Sequence, residues 1–347
     1  MAYYDGIFNT LGLRSWCDGG KSEGSGGPMT MDQLLAQARG GQAVEKPWWD
    51  IPFPSLDVLN QSCNAIGRTR DLTAAVENGF VSAKDALKTV LDPITQPLSW
   101  LLDGSLYLFN VTPWWVVIPL LLALSYYVSR SINIVLFVAI SFLFLAAIDQ
   151  YTFSIQTLSI IAVCTFLCVL LGVPIGIAMS KNDTFQRATI PVLDMLQTLP
   201  SFVYLVPLIF LFSVTESKLY GIAIILYAIV PVVRLTDLGI RLVDKDVTEA
   251  ADAFGMNSRQ KLFGVEIPLA MPNIMAGVNQ TIMMALAMVV IASLVSAPGL
   301  GVLVLRGIRN LELGVGIIAG FCIVLLAVML DRVSKASLAR VNTSSPS

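Results

Sequence analysis

Residues 246–268 carry the most organised polar pattern in the chain. They suit docking, not bond-making. Val247, Ala250, Ala251 and Phe254 recur at i, i+3, i+4 and i+7, the apolar stripe of an amphipathic helix. Small alanines let such a helix seat closely against a partner. Glu249 faces either polar surface or a partner's N–H and Arg groups. Gly255 stands where a left-handed helix cap is wanted. Asp246 is the expected N-cap, with Glu249 completing a variant capping box. Ser258 is expected to cap a second short helix that Pro268 terminates. A helix, a glycine turn and a second helix make a polar knob between apolar stretches.

Other chemistry finds little support. The chain has no histidine, which removes histidine bases, triads, proton relays and metal ligands. Cys164 and Cys168 lie four apart on an apolar stretch without further metal partners, and read as small packing residues. Cys17 and Cys63 can pair only in an oxidising compartment, and the sequence leaves that open. Gly20-Lys21-Ser22 invites a phosphate-loop reading, but the motif needs Gly where Ser15 stands, and no strand precedes it. The chain is therefore not expected to bind ATP itself.

These residues sit in a membrane protein. Of 347 residues, 55% are hydrophobic and 13% charged, with mean hydropathy +0.73. Soluble domains carry about 25% charged residues. Net charge is −2, and residues 1–105 hold 8 basic against 12 acidic side chains, so no nucleic-acid surface is indicated. The polar, Gly/Ser-rich start does not resemble a cleavable signal peptide. Residues 19–27 read as a flexible linker. Trp48 and Trp49, among Pro47, Pro52 and Pro54, read as an irregular segment at a membrane surface. Residues 81–102 have helical spacing interrupted by Pro93 and Pro97, and no independent core is expected in the first hundred residues.

About seven apolar spans follow, at 107–128, 131–148, 154–179, 201–214 with its flanks, 219–233, 273–295 and 314–330. Pro174, between Gly172 and Gly176, should kink the third. Basic residues cluster after the third span (Lys181, Arg187), between the fifth and sixth (Arg234, Arg241, Lys245, Arg259, Lys261) and after the seventh (Arg332, Lys335, Arg340). The positive-inside rule makes that side cytoplasmic, with the acidic N-terminal tail outside. Arg306 and Arg309 break the rule unless the amphipathic stretch 299–311 folds back at the interface. Asp194, Arg234 and Asp237 read as interfacial anchors, with Arg234 and Asp237 an i,i+3 pair. Asn279, Gln280 and Thr281 open the sixth span and suit either helix gluing or a translocation path. Phe202, Tyr204 and Tyr227 are the aromatics available to a cationic solute, though they compose no cage.

The pattern Glu249-Ala250-Ala251-x3-Gly255-x9-Val265-x-Ile267-Pro268 resembles the cytoplasmic signature of ABC importer permeases, departing only by Val for Ile and Ile for Leu. The run from Leu193 to Pro207 (LDMLQTLPSFVYLVP), the run from Pro268 to Thr281 (PLAMPNIMAGVNQT) and Val304-Leu305-Arg306-Gly307-Ile308 are similar to the glycine betaine/proline betaine permeases of osmoprotectant importers. The likeness is strong over about 158–331 and weak over the first two spans. It implies an all-α polytopic membrane protein of about seven helices with the type I ABC importer permease fold. Residues 1–105 would form a partly ordered extracytoplasmic tail and 106–150 two accessory helices. Residues 151–333 would form the core, with coupling loop 244–268, and 334–347 a cytoplasmic tail.

The resemblance further implies a homodimer in the bacterial inner membrane, served by two cytoplasmic ATPase subunits and an extracytoplasmic substrate-binding protein. No cofactor is expected in this chain, since ATP would be bound by the ATPases. Glu249, Ala250, Ala251, Gly255 and Pro268 are assigned to coupling. Tyr204, Phe202, Asn279, Gln280 and Thr281 are the candidates for a translocation path. The solute would be glycine betaine, proline betaine, choline or a relative, with another small solute as the alternative. An ion-coupled secondary transporter would need intramembrane acids that are scarce here. A membrane-embedded enzyme would need a nucleophile and base that are not seen.

Overall fold

The computed structural model describes residues 4–13, 16–17, 53–63 and 65–344. The segments 19–27 and 47–52, with the Gly20-Lys21-Ser22 run, lie outside them. Among the described residues every regular element is helical. The chain divides into two units, Met1–Asp85 and Ala86–Ser347.

The first unit holds α1 (Asp5–Thr10) and α2 (Leu56–Ser62). Phe8, Cys17 and Cys63 are buried together, with Tyr4, Leu59, Ala65 and Ile66 against them. Cys17 and Cys63 are joined by a disulfide. The tail therefore has a small core of its own, contrary to the sequence expectation. A cross-link spanning 46 residues supplies what so few apolar side chains do not.

Helix α3 (Thr69–Val111) runs unbroken through Pro93 and Pro97, where interruptions were predicted. Next come α4 (Trp114–Ser129) and α5 (Ile132–Ala147). The predicted span 107–128 is not one helix: the chain breaks at Pro113 and turns by 117° between α3 and α4. Pro113 supplies no N–H and holds the preceding residue out of the helical region.

The centre of the second unit is α6 (Tyr151–Lys181), α9 (Ser217–Arg241) and α12 (Ile267–Ala292). Helix α6 continues through Pro174. Between α6 and α9 lie α7 (Asp183–Thr198), a 3₁₀ turn (Ser201–Tyr204) and α8 (Leu205–Leu211). The predicted span 201–214 is thus a turn and a seven-residue helix, bent 104° from α7 at Leu199-Pro200. The core helices approach closely through glycine: a Cβ on Gly176 would lie 2.6 Å from both Thr236 Cβ and the Val233 carbonyl oxygen. Gly277 of α12 likewise faces the α9 backbone at Pro231 and Val232. Small residues let helices meet where lipid offers no hydrophobic drive.

Beyond α12, α13 (Leu300–Arg309) folds against α14 (Leu313–Ser344). At their turn, Asn310 donates to Glu312 (3.0 Å) and Arg306 pairs with it (3.1 Å). The Asn310 hydrogen bond first, then the Arg306 charge, holds the Glu312 carboxyl below the usual glutamate range.

Among the described residues, four helices are long and apolar enough to cross a bilayer: Tyr151–Lys181, Ser217–Arg241, Ser258–Val295 and Leu313–Ala339. Two more crossings arise if each bent pair is one span, and α5 adds a shorter apolar helix.

Candidate functional site

The polar stretch between α9 and α12 folds into two short helices, α10 (Lys245–Ala253) and α11 (Ser258–Lys261). Asp244, not Asp246, caps α10, its side chain accepting from the Asp246 N–H at 3.0 Å. Several acidic residues compete for this role in sequence, and the backbone turns at the earlier one. Gly255 has φ +76°, as the sequence required. The Met256 N–H bonds to the Ala251 carbonyl (3.1 Å) and the Gly255 N–H to that of Asp252 (2.9 Å), a Schellman ending. Asn257, in place of Ser258, caps α11 through a capping box with Gln260. Lys261 pairs with Asp252 at 2.7 Å and ties the two short helices together.

Pro268 does not end the second helix. The chain passes from α11 through a π turn (Leu262–Glu266) straight into α12, and Pro268 sits in the first turn of that helix. Inside a helix a proline ring collides with the carbonyl four residues back, here Gly264. The widened π turn provides the room.

The knob has one seated alanine and an apolar crown. Ala251 is buried, whereas Glu249 and Ala250 are exposed. Phe254 is 86% exposed and Phe263 67%, and with Gly255, Met256, Gln260 and Gly264 they line an open hollow. The predicted stripe thus points mostly outward. Two exposed aromatics beside a rigid glycine turn form a surface to be covered.

Around the root of the knob the helices are linked by charge. Arg241 reaches Asp237 (2.9 Å), Asp183 (2.8 Å) and the Met179 carbonyl (2.8 Å), joining α6, α7 and α9. Gln186 donates to Asp237 at 2.6 Å. Arg234 pairs with Asp194 of α7, so the predicted Arg234–Asp237 pair is replaced on both sides by partners from other turns and helices. Lys181 pairs with Glu266 of the π turn.

The translocation candidates differ in burial and in partners. Tyr204 is buried and donates to the Leu196 carbonyl, while Phe202 on the same turn is exposed. Asn279 donates to Asp331 of α14 at 3.2 Å, gluing two helices. Thr281 is fully buried and Gln280 exposed. Tyr227 is half-buried on α9. Cys164 and Cys168 are buried free thiols, and no metal-holding cluster exists among the described residues. Sequence reasoning missed Lys181–Glu266, whose members stand 85 residues apart.

Residues 168–343 match the family described as binding-protein-dependent transport system inner membrane component. The chain is 38% identical over 250 residues to the glycine betaine/proline betaine transport system permease protein ProW of Escherichia coli K12, covering 72% of this chain and 70% of that protein. It is 42% identical over 214 residues to the glycine betaine transport system permease protein OpuAB of Bacillus subtilis 168, covering 61% and 75%. It is 37% identical over 247 residues to the glycine betaine/carnitine transport permease protein GbuB of Listeria monocytogenes, covering 70% and 87%. Among solved structures, a chain of the inward-facing MetNI methionine ABC transporter superposes with TM-score 0.50 at 18% identity. The match covers 55% of this chain and 95% of that one, a likeness of fold alone.

Proposed function

The chain belongs to the family of binding-protein-dependent transport system inner membrane components, and from that membership we propose that it passes glycine betaine, proline betaine or a related quaternary ammonium solute across the inner membrane. It is an ABC importer permease, a multi-pass subunit and not an enzyme, and its partners are a separate ATPase and a substrate-binding protein. The solute comes from the relatives: ProW, OpuAB and GbuB are all named for glycine betaine.

The knob 244–268 is the ATPase-coupling element. Its exposed Phe254 and Phe263, held by the Gly255 turn, are the observation that supports this reading. Glu249, Ala250, Ala251 and Gly255 form the seat, and Pro268 sits in the first turn of the helix that carries motion into the core. ATP would be bound by the partner ATPases, two of them serving a homodimer of this chain. The knob and the C-terminus face the cytoplasm, and the tail 1–105 faces outward, as the distribution of Lys and Arg argues. Tyr204, Phe202, Asn279, Gln280 and Thr281 are retained only as individual positions near the path.

Uptake of radiolabelled glycine betaine tests this in a bacterium lacking betaine transport, with the chain expressed beside its ATPase and binding protein. Gly255→Asp or Glu249→Lys should abolish uptake while membrane abundance stays normal. Normal uptake by either variant removes the coupling assignment. A wild-type complex that takes up no betaine moves the solute elsewhere.

A further inference from the structure

Glu266 closes the π turn between the knob and α12, and its side chain is only 7% exposed. A buried carboxylate without a counter-charge is strongly unfavourable, so its partner is not incidental. That partner is Lys181, the last residue of α6, which is about half exposed. Neither helix needs the contact for its own formation: α6 ends on Asn182, and α12 starts from the π turn.

The contact reinforces one side of a triangle of packed helices. α6 and α9 meet through Gly172 and Gly176, and α9 and α12 through Gly239 and Gly277. Those two sides are close packing, and on the third Val173 and Ile177 of α6 lie against the cluster of Ile240, Ala270 and Ile274. At the end of the core that carries the knob, a direct charge pair joins the third side, α6 to the root of α12. The π turn there shifts the hydrogen-bond register by one residue, so a rotation of the knob can be absorbed before it reaches α12. A tether on the last residue of that turn removes the slack.

We propose that Lys181 and Glu266 are positioning residues for coupling: their pair fixes the phase of the π turn, so that displacement of the knob moves α6 and α12 together. The proposal rests on the reading of 244–268 as the coupling element. Neither residue touches solute or nucleotide in this role. The pair acts through the knob.

The test is the ratio of solute taken up to ATP hydrolysed by the whole complex in proteoliposomes, with ATPase and binding protein present. Lys181→Met and Glu266→Gln should lower that ratio at least about fivefold, the low end of ordinary coupling energies, with ATP hydrolysis and subunit co-purification retained. Lys181→Arg should restore it, since any long cation can meet Glu266. Glu266→Gln guards against misfolding, because it strands only a lysine that already reaches solvent. Wild-type ratios in Lys181→Met and Glu266→Gln overturn the proposal. So does loss of membrane abundance in both, which would make the pair merely structural. Gly255→Asp, run alongside, separates the two levels. If it keeps a wild-type ratio the coupling element itself is misassigned; if it alone loses the ratio, only the tether falls.

Discussion

Lys218 is buried at the start of α9, with its Nζ 2.7 Å from Asp92 on α3 and 2.8 Å from Glu216. The lysine side chain is 5% exposed, whereas its partners are 36% and 30% exposed. The asymmetry decides what each mutation strands. Lys218→Met leaves two carboxylates that water already reaches. Asp92→Asn with Glu216→Gln leaves a buried ammonium unpaired, a situation that costs about 3–5 kcal/mol. The double variant should therefore lower the apparent Tm in detergent more than Lys218→Met does. The opposite order would show that the cluster is solvated.

The contact of α6 with α9 at Gly176 predicts a second effect. A methyl there would press on the Val233 carbonyl and Thr236 Cβ, both 2.6 Å away, and backbone cannot swing aside. Gly176→Ala should cost about 1–3 kcal/mol by overpacking. Gly320→Ala on α14, where a Cβ meets nothing within 4 Å, should be neutral or slightly stabilising. Thermal unfolding of the two variants side by side is the check, and equal Tm values would remove the close approach.

What could be read from sequence divides by range. Gly255 was legible because a left-handed residue is a local demand that glycine alone meets cheaply. The caps were misjudged by one or two positions, since Asp244, Asp246, Asn257 and Ser258 are all competent and the choice belongs to the folded backbone. Pro268 was misread because the rule that proline stops a helix ignores a preceding π turn. The pairs that tie the core together were illegible for a different reason. Lys218 and Asp92 are 126 residues apart, Lys181 and Glu266 85, and Arg234 and Asp194 40, so no periodicity brings them into one window. The apolar spans announced that helices exist, while breaks at Pro113 and Pro200 decided which of them are continuous.

The cysteines give a prediction in countable form. Cys164, Cys168 and Cys322 are free and buried, and Cys17 is bonded to Cys63. Maleimide should label none of the five cysteines in the native protein, three after denaturation without reductant, and five once reductant is added. Five labels without reductant would exclude the disulfide. Labelling of the native protein would show that a core thiol reaches solvent.

Gly255 and Gly264 offer a matched comparison within the knob. A Cβ at either would meet nothing within 4 Å, so added bulk collides with nothing else in this chain at either position. They differ in backbone. Gly255 has φ +76°, where an L-residue pays about 1–2 kcal/mol, while Gly264 lies within the π turn, where alanine is tolerated or favoured. Gly255→Ala should therefore distort the turn between α10 and α11 and reduce glycine betaine uptake, and Gly264→Ala should leave it near wild type. Because both substitutions add the same uncharged methyl to the hollow beside Phe254 and Phe263, a difference between them isolates turn geometry from surface chemistry. Uptake reduced equally by both would mean that the hollow beside Phe254 and Phe263, not the left-handed turn, is what the partner reads.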